Sequence, residues 1–378
     1  MSSPGLSSPA STADAIAALP RLATRKSRIV VAMSGGVDSS TAAALLWERG
    51  HDVVGVTLKL YDARGTAASI GGRCCTPRDI EDARATATRF GFPHYVLDES
   101  EAFAKGVIED FVTSHRLART PNPCVRCNEK MKFGPLVRFA RSVGADALAT
   151  GHYARVETGP EGLRLLRAVD REKDQAYFLF AVDPSLFDHV QFPLGDMNKG
   201  AVRAEAQRLG LPNWNKPDSH EICFVPGGDH KAFVEARGGA GKAGDIVDEG
   251  GRVLGEHKGT HNFTIGQRKG LPGVGGADPR FVLRIDAATG KVFVGPRSNL
   301  GRRDVVVNDT RWLRDPSSEP FACAVQIRHH SVAHPATVVR TSEGAQVTFD
   351  QPVEGVAPGQ AAVFFRDDEV LGGGWIDA

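Results

Sequence analysis

The sequence contains no stretch of eighteen consecutive apolar residues. A helix needs about 20 such residues to cross the hydrocarbon core of a bilayer, so we expect no membrane-spanning segment. The first 27 residues are rich in Ser, Ala and Pro and lack the apolar core of a secretory signal. They therefore predict a disordered tail over residues 1–27 and a cytoplasmic protein.

Net charge is nearly absent, and cysteines are few. The 46 Lys and Arg residues are balanced by 45 Asp and Glu, which leaves a net charge of +1. No overall basic field attracts nucleic acid, so any such contact must use a local patch. Six cysteines in 378 residues do not make the disulfide framework of a small secreted protein. They fit a reducing compartment and thiols that are catalytic or bind metal.

The most informative part of the chain is a glycine turn at residues 34–36. This turn contains no lysine. Ile29–Met33 predicts a strand buried on both faces, a Ser-Gly-Gly turn follows, and Thr41–Arg49 predicts an amphipathic helix. Backbone N–H groups and the helix dipole then point at one spot, which suits a phosphate. A Walker loop would place a lysine in such a turn. Here Asp38 has the prominent position, so this is a phosphate loop of another kind.

Residues 28 to about 155 alternate between strand and helix patterns, which predicts a doubly wound parallel α/β sheet. Ligands bind such sheets beyond the C-terminal ends of the strands. The glycine turn, Leu58 and Gly151 all fall at such ends. The pattern predicts strands over 29–33, 53–58, 94–97 and 145–150, helices over 41–49, 77–90, 99–119, 129–142 and 199–209, and a loop over 61–73.

Beyond about residue 225 the glycine content and the pattern of strands and helices change. These changes predict three folded domains. Residues 28–225 form the catalytic domain. Residues 226–300 are rich in glycine and contain short strands, which indicates a small mixed central domain. From residue 301 to 378 only strand and turn patterns occur, including an alternating strand from Phe321 to Arg328. A small antiparallel β-barrel is the natural closure of such a segment.

The segment Asn122–Asn128, with the sequence NPCVRCN, is the second informative stretch. Two prolines, at 121 and 123, predict a rigid non-helical loop. Its Cys124 and Cys127 can be a redox dithiol, half of a zinc site, cluster ligands, or a nucleophile with an incidental neighbour. Cys223, between Ile and Phe, can be a buried apolar thiol. The local sequence does not choose among these readings.

Seven motifs occur in one order between residues 28 and 378. Together they resemble the tRNA-specific 2-thiouridylase (MnmA) family, whose ATP pyrophosphatase domain carries a PP-loop. The residues alone indicate an ATP-cleaving enzyme with mobile sulfur chemistry, and the wobble uridine of tRNA comes only from the resemblance. The motifs are SGGVDSS at 34–40, NPCVRCN at 122–128, ATGHYAR at 149–155, KDQAYFL at 173–179, ICF at 222–224, GTHNFTIGQRKGL at 259–271 and PGQ at 358–360.

The resemblance implies ATP on the glycine turn and a catalytic pair of cysteines. Cys127 would be the nucleophile, Cys223 would carry a persulfide, and the two would close a disulfide as sulfur departs. Arg126 and Lys130 are expected to favour the thiolate, and Mg²⁺ would neutralise the phosphates. The implied ATP-binding residues are Ala32, Met33, Ser34, Gly35, Gly36, Val37, Asp38, Ser39, Leu58 and Gly151.

The implied partners are the anticodon stem-loop of tRNA and a sulfur-donor protein such as a cysteine desulfurase or a sulfur carrier. Between residues 116 and 141, seven Lys and Arg residues against one acid form a local basic patch, which supports phosphate contact. Asn122, Pro123 and Cys124 would face the target base. The other implied tRNA contacts are His152, Lys173, Asp174, Gln175, Arg328, His329 and Gln360.

The implied reaction adenylates the uracil O2 and then transfers sulfur from the persulfide, releasing AMP and pyrophosphate. Some family members carry Asp at the position of Cys124. With Cys there, Cys124, Cys127 and Cys223 could instead ligate a [4Fe-4S] cluster. Two other functions stay open. An amide-forming PP-loop ligase would need neither Cys127 nor Cys223, and an RNA-binding scaffold would keep ATP for structure only.

Overall fold

The computed structural model describes residues 26–61, 76–159, 162–218, 222–275, 278–315 and 319–377. Of the loop predicted over 61–73, residues 62–73 lie outside these ranges, as does nearly all of the predicted tail. Three sheets are present in the described part. No helix of that part is long and apolar enough to cross a bilayer.

The first sheet is parallel throughout and has the strand order β3-β2-β1-β4-β7. It confirms the predicted doubly wound α/β domain. Its strands are β1 (Arg28–Ala32), β2 (Asp52–Lys59), β3 (His94–Asp98), β4 (Ala147–Thr150) and β7 (Val190–Gln191). The helices are α1 (Val37–Glu48), α2 (Pro77–Phe90), α3 (Ser100–Phe103), α4 (Glu109–Arg116), α5 (Pro123–Cys127), α6 (Phe133–Ser142), α7 (Lys199–Arg208) and α8 (His230–Glu235).

Strand β1 is buried on both faces, as its apolar run predicts. Ile29 and Val31 pack with α1 and α2, whereas Val30 faces the larger core on the other side of the sheet. Helix α1 is not amphipathic, because its residues 39–46 are all buried. One of its sides packs on the sheet and another packs on α7, through Val202 and Ala206. The expectation of a solvent-facing side was therefore wrong.

Helix α2 has the predicted limits, 77–90. Thr76 and Asp79 form a capping box at its start, and Gly91 ends it with a left-handed φ of 74°. These are local signals, so the sequence contains what is needed to place both ends. Asp79 is 5% exposed, and its backbone also lies against the glycine turn, as described below.

Two other predicted helices are interrupted. The helix predicted over 99–119 consists of α3, a π-helical segment at Ala104–Ile108, and α4. The helix predicted over 129–142 begins with a π-helical segment, Asn128–Lys132, before α6. The two π segments pack near each other, since the Lys130 side chain donates to the Gly106 carbonyl at 3.5 Å.

The predicted non-helical loop over 120–128 was wrong, because its second half is helix α5. Pro123 occupies the first turn of α5, where a missing N–H leaves no hydrogen bond unmade. Asn122 caps the helix by accepting from Val125 N at 3.3 Å. Proline was read as a helix breaker at a position where it starts a helix.

The C-terminal half contains the predicted mixed central sheet and antiparallel barrel. In the central sheet, β8 and β11 pair in parallel and the other pairs are antiparallel. The barrel closes because β12 pairs with both β15 and β17. The central strands are β8 (Gly244–Val247), β9 (Val253–His257), β10 (Phe281–Asp286) and β11 (Lys291–Gly295). The barrel strands are β12 (Arg302–Trp312), β13 (Phe321–Gln326), β14 (His334–Arg340), β15 (Gly344–Val353), β16 (Ala361–Arg366) and β17 (Glu369–Asp377).

A hairpin of the catalytic domain extends the barrel sheet. It comprises β5 (Ala154–Gly159) and β6 (Gly162–Arg167), and β6 pairs with β17. Arg164 adds an ion pair to Glu369 at 3.1 Å. The sequence analysis did not predict this hairpin. The hairpin begins three residues after Gly151, which follows β4. It therefore connects the C-terminal end of β4 in the parallel sheet directly to the barrel.

Candidate active site

The glycine turn between β1 and α1 is closely packed and open at the helix start. Gly36 precedes α1 with an extended backbone, and no side chain caps the first turn of the helix. The Ser39 hydroxyl accepts from Ser34 N at 3.0 Å and so holds the turn together. Gly35 has a φ of 72°, and a Cβ there would lie 2.1 Å from the Asp79 carbonyl oxygen. The backbone is thus fixed in a shape that leaves N–H groups available to an anion.

The residues predicted to bind ATP gather at one edge of the parallel sheet. A Cβ on Gly151 would lie 2.7 Å from Ser39 N, so the end of β4 touches the start of α1. Leu58 ends its buried run near the same edge, on β2 beside β1. The Met33 and Val37 side chains are buried. These two positions therefore offer backbone rather than side chain to a ligand.

Residues 213–216, to which the sequence analysis gave no role, hold the glycine turn through its Gly35 carbonyl. Asn213 Nδ2 and Lys216 Nζ both donate to the Gly35 carbonyl, at 3.0 and 3.1 Å. Lys216 also pairs with Asp79 at 2.7 Å and Asp82 at 2.6 Å. Burial alone would lower the pKa of Lys216, but these two carboxylates outweigh it and raise the pKa.

The sequence analysis also missed the partners of Asp38. The Tyr153 hydroxyl donates to Asp38 Oδ1 at 2.9 Å, and Lys199 Nζ donates to both carboxylate oxygens at 2.7 and 2.9 Å. Lys199 also pairs with Asp218, which binds Lys173 at 2.8 Å. Burial would raise the pKa of Asp218, but its hydrogen bonds to Lys173 and Lys199 lower the pKa to about 2.

Signals for these partners were present in the sequence but weak. Tyr153 belongs to the motif ATGHYAR, and Lys199 opens a predicted helix. Asp218 lies in a charged stretch just before Cys223. Only the tertiary structure brings Tyr153 and Lys199 to Asp38, and Asp218 to Lys199, because each belongs to a different segment of the chain.

The two cysteines of the predicted sulfur chemistry border the same hydrophobic core. Cys127 ends α5, and its side chain is buried in the largest core cluster. Cys223 is half-buried and packs against that cluster. Its neighbour Phe224 makes edge-to-face contacts with Phe103 and Phe111. The four described cysteines are thiols and not disulfides.

The predicted cluster ligands are not gathered in this structure. Cys124 is exposed, whereas Cys127, three residues on, is buried. Among the residues that the structure describes, no three His, Cys, Asp or Glu side chains are placed as a metal-binding group. Pro123 and Asn122, which were expected beside Cys124 at the base site, are buried. Only the Cys124 side chain of this trio is well exposed.

The barrel reaches the cysteine helix through predicted RNA-binding residues. Gln360 Nε2 donates to the Thr120 carbonyl at 3.1 Å, just before α5. The His329 ring packs on Phe178 with centroids 4.3 Å apart, and the Phe178 carbonyl accepts from Asn128 Nδ2 at 3.1 Å. Burial lowers the pKa of His329. Segments far apart in sequence therefore meet around α5.

Three other predicted RNA contacts are engaged inside the protein. The His152 ring bonds Thr150 Oγ1 at 2.8 Å, and burial lowers its pKa well below the usual range. Asp174 is 6% exposed and accepts from Arg167 at 2.8 Å. Gln175 accepts from Tyr153 N at 3.0 Å. In this conformation Asp174 and Gln175 hold the loop that presents Lys173, whereas His152 is held beside the end of β4.

Arg328 and Arg126 differ in exposure and in their contacts within the protein. Arg328 is exposed at the end of β13. The Arg126 guanidinium instead stacks on Trp375, 3.8 Å from the ring centre, and pairs with Glu129 at 2.9 Å. It thus fastens α5 to the barrel. The expectation that Arg126 serves the Cys127 thiolate is not supported by this position.

Comparison with known proteins gives matches along the whole described chain. Family profiles match at residues 27–227 (tRNA methyl transferase HUP domain), 231–296 (tRNA methyl transferase PRC-barrel domain) and 302–376 (aminomethyltransferase β-barrel domain). Among solved structures, a 4-thiouridine synthetase bound to RNA and ATP shares 16% identity, with a TM-score of 0.34 over 56% of this chain and 50% of its own. That likeness is too distant to carry an argument.

Relatives with assigned names are much closer. A tRNA-specific 2-thiouridylase MnmA from Rhodospirillum centenum is 50% identical over 364 residues, which cover 94% of this chain and 92% of the relative. The protein of that name from Geobacter metallireducens is 49% identical, covering 93% of this chain and 97% of its own. The one from Acidiphilium cryptum is 50% identical, covering 92% and 99%. The chain belongs to the tRNA-specific 2-thiouridylase (MnmA) family of enzymes.

Proposed function

We propose that this enzyme uses ATP to thiolate C2 of the wobble uridine of tRNA. One observation carries the proposal: a single fold joins an uncapped glycine turn, suited to phosphate, to two thiols on one hydrophobic core. The relatives named tRNA-specific 2-thiouridylase supply the substrate. The cytoplasm, which provides tRNA, ATP and reducing conditions, is the compartment that we propose.

The first step activates the uracil. Its C2 oxygen is a poor leaving group and must first be activated. The oxygen attacks the α-phosphorus of ATP and displaces pyrophosphate. The oxygen then leaves C2 later as part of AMP. The N–H groups and dipole at the start of α1 stabilise the negative charge of the phosphates. The proposed ATP-binding residues are those at the sheet edge, from Ala32 to Ser39 together with Leu58 and Gly151.

Magnesium fits the donor set at this edge. Mg²⁺ is commonly held by one or two carboxylates together with substrate phosphates, without a full protein cage. Asp38 is the carboxylate in the first turn of α1, and its side chain is 31% exposed. Asp38 would hold the ion with the phosphates, and the ion would supply neutralisation of their charge.

The second step moves sulfur. A persulfide on Cys223 contributes its outer sulfur, which attacks C2 and displaces AMP. The Cys127 thiolate attacks the inner sulfur of Cys223, so the S–S bond of the persulfide breaks and a Cys127–Cys223 disulfide forms. The transferred sulfur is reduced by two electrons, and the two cysteines are oxidised by two. An external thiol then reduces the disulfide, and a sulfur-donor protein reloads Cys223.

The proposed RNA site surrounds α5. The anticodon stem-loop would lie along α5 and the barrel, with the target base flipped toward Cys127. Arg328, Cys124 and Lys173 are partly or fully exposed there and can touch RNA directly. The other proposed contact residues are Asn122, Pro123, His152, Asp174, Gln175, His329 and Gln360, of which Asp174 and Gln175 would act by positioning the Lys173 loop.

The proposal is tested by incubating the protein with ATP, Mg²⁺, a sulfur-donor protein that carries a persulfide and unmodified tRNA, followed by mass analysis of nucleosides. We expect 2-thiouridine, with one pyrophosphate released for each. Cys127→Ala and Cys223→Ala should both lose the product when sulfur comes from a persulfide donor. Cys323→Ala is the matched control, because burial raises the pKa of that barrel thiol to about 12 and leaves it unreactive.

The alternatives give different results in the same assay. Full turnover of Cys223→Ala with ammonia would indicate an amide-forming ligase. Absence of pyrophosphate release with tRNA and sulfur present would indicate a scaffold. A brown, iron-containing protein from oxygen-free purification, inactivated by Cys124→Asp, would favour the cluster mechanism. Colourless and active protein would leave the persulfide route.

A further inference from the structure

The glycine turn has no lysine of its own, but the fold delivers one from elsewhere. Lys199 is the first residue of α7 and follows its cap, Asn198. Its ammonium group reaches both oxygens of Asp38, at 2.7 and 2.9 Å, and one oxygen of Asp218, at 2.8 Å. Asp38 itself stands in the first turn of α1, one residue after the helix begins. The ammonium therefore lies at the opening of the turn.

We propose that Lys199 binds the phosphate groups of ATP and is the phosphate lysine that this turn lacks. This inference rests on the proposed use of ATP at the turn. A lysine ammonium on a flexible four-carbon stem can exchange one anionic partner for another at small distance. In the structure its partner at the mouth of the site is Asp38. With ATP present, a phosphate oxygen takes the place of that carboxylate.

Exposure and charge favour this exchange. The Lys199 side chain is 13% exposed, whereas that of Asp38 is 31% exposed. An approaching triphosphate therefore meets the carboxylate first, and two anions cannot share the turn without a cation between them. Transfer of Lys199 to phosphate frees the Asp38 carboxylate, which would then be able to hold Mg²⁺. Each anion then has a cation within reach.

The opposite side of Lys199 is anchored. Asp218 also binds Lys173 and Arg203, at 2.8 and 3.1 Å. It therefore keeps a strongly cationic surrounding whether or not Lys199 turns toward the ligand. Asp218 therefore remains a partner of Lys199 on the side away from the ligand. Asp38 is the partner that a phosphate can replace.

A purely structural role explains the arrangement less well. Helices α1 and α7 already pack through apolar side chains, including Leu45, Val202 and Ala206. These apolar contacts join the two helices independently of the Lys199–Asp38 ion pair. The pair also lies at the opening of the glycine turn. An ion pair that only joined α1 to α7 would not need this position.

The test is equilibrium binding of ATP, pyrophosphate and adenosine at fixed Mg²⁺, with neither tRNA nor a sulfur source. For Lys199→Gln we expect the Kd of ATP and of pyrophosphate to rise about 10- to 100-fold, the effect of a lost charged hydrogen bond. The Kd of adenosine should stay within about twofold, since adenosine has no phosphate. Lys199→Arg should restore most of the ATP affinity.

Lys242→Gln is the matched control. Lys242 donates to the Ala288 carbonyl in the central domain at 3.1 Å, so its loss removes the same charge without touching the turn. Its ATP affinity should equal that of the wild type. A thermal melt of every variant separates binding from folding.

Two results would overturn the inference. One is an unchanged ATP affinity in Lys199→Gln; the other is an equal loss of ATP and adenosine binding with a lower Tm, which would mean that Lys199 only holds the fold. Failure of the wild type to bind ATP would instead reject the proposed function. Binding without thiolation would leave the role of Lys199 standing and reject only the tRNA chemistry.

Discussion

The phosphate-binding end and the cysteine end of this enzyme are built in different ways. At the phosphate end, eight consecutive residues, 32–39, form the turn, and other segments add single residues to it, such as Lys199 from α7. At the cysteine end, α5 and its flanking residues contact the 173–178 loop and the barrel, and the 222–224 segment packs on the same hydrophobic core. The backbone of the first site is one local motif, whereas the second is assembled from segments that are distant in sequence.

This difference matches what each end is proposed to do. A phosphate site gains from a rigid backbone whose N–H groups are already oriented. A sulfur relay must bring two sulfur atoms to about 2 Å, so at least one segment must move. An end assembled from several segments can allow such movement. The barrel contacts that would have to change include the hydrogen bond from Thr120 N to the Pro358 carbonyl at 2.7 Å.

The largest effect should come from the charge at the phosphate end. Asp38→Asn keeps an acceptor for Tyr153 but removes the carboxylate that would hold Mg²⁺ with the phosphates. We expect pyrophosphate release to fall at least ~100-fold, as for loss of a preorganised electrostatic group. Affinity for tRNA should change less than about twofold, because the RNA contacts lie elsewhere. Equal loss of both would show that Asp38 only maintains the fold.

The rigidity of the turn can be tested with two glycines of similar conformation. Gly35 and Gly50 have φ values of 72° and 84°, but only at Gly35 would a Cβ collide, 2.1 Å from the Asp79 carbonyl oxygen. Gly35→Ala should lower the free energy of unfolding by about 2–4 kcal/mol and abolish ATP binding. Gly50→Ala, with nothing within 4 Å, should cost only about 1 kcal/mol. Equal effects in denaturant melts would show that the turn tolerates a side chain.

A third region, where the catalytic domain meets the central domain, should respond to pH. Burial, with His230 and His261 nearby, lowers the pKa of His115 in α4 to about 4. His230 at the start of α8 stacks on it, and His261 pairs with Glu235 at 2.8 Å. The neutral His115 ring therefore stabilises the fold above pH ~6.5, and this stability is lost as pH falls through 4.

Between pH 7 and pH 5 this single group should lower the free energy of unfolding by about 2 kcal/mol. His115→Phe keeps the aromatic contact with Phe111 and removes the titration. Its stability should therefore fall less over that range than the stability of the wild type. Urea melts at the two pH values measure the difference. Identical pH slopes would contradict the assignment to His115.

The smallest effect should come from the barrel contact to the cysteine end. Gln360→Ala removes hydrogen bonds to the Thr120 and Pro121 carbonyls, at 3.1 and 3.4 Å. We expect about a fivefold rise in KM for tRNA, the effect of roughly 1 kcal/mol, with ATP affinity unchanged. Gln346→Ala on β15 serves as the control on a barrel strand. A loss of ATP binding in Gln360→Ala would mean that the two ends are not independent.

Expectations from sequence succeeded where the signals were local and short in range. The limits of α2 followed from a capping box and Gly91, and β1 followed from its apolar run. They failed at α5, because Pro123 was judged without the asparagine cap before it. They also failed at hairpin β5–β6, whose pairing partner β17 lies some 200 residues further along the chain.

The sequence by itself determined the phosphate turn, the order of domains and the identity of the family, because each depends on adjacent residues or on motifs in series. Only the tertiary structure decided that Lys199 and Tyr153 bind Asp38, that Asp218 binds Lys199, and that Gln360 and Trp375 fasten the cysteine helix. The physical reason is that a charged or polar side chain takes its partner from whichever segment packing brings within about 3 Å. That choice depends on the whole core, and no spacing along the chain records it.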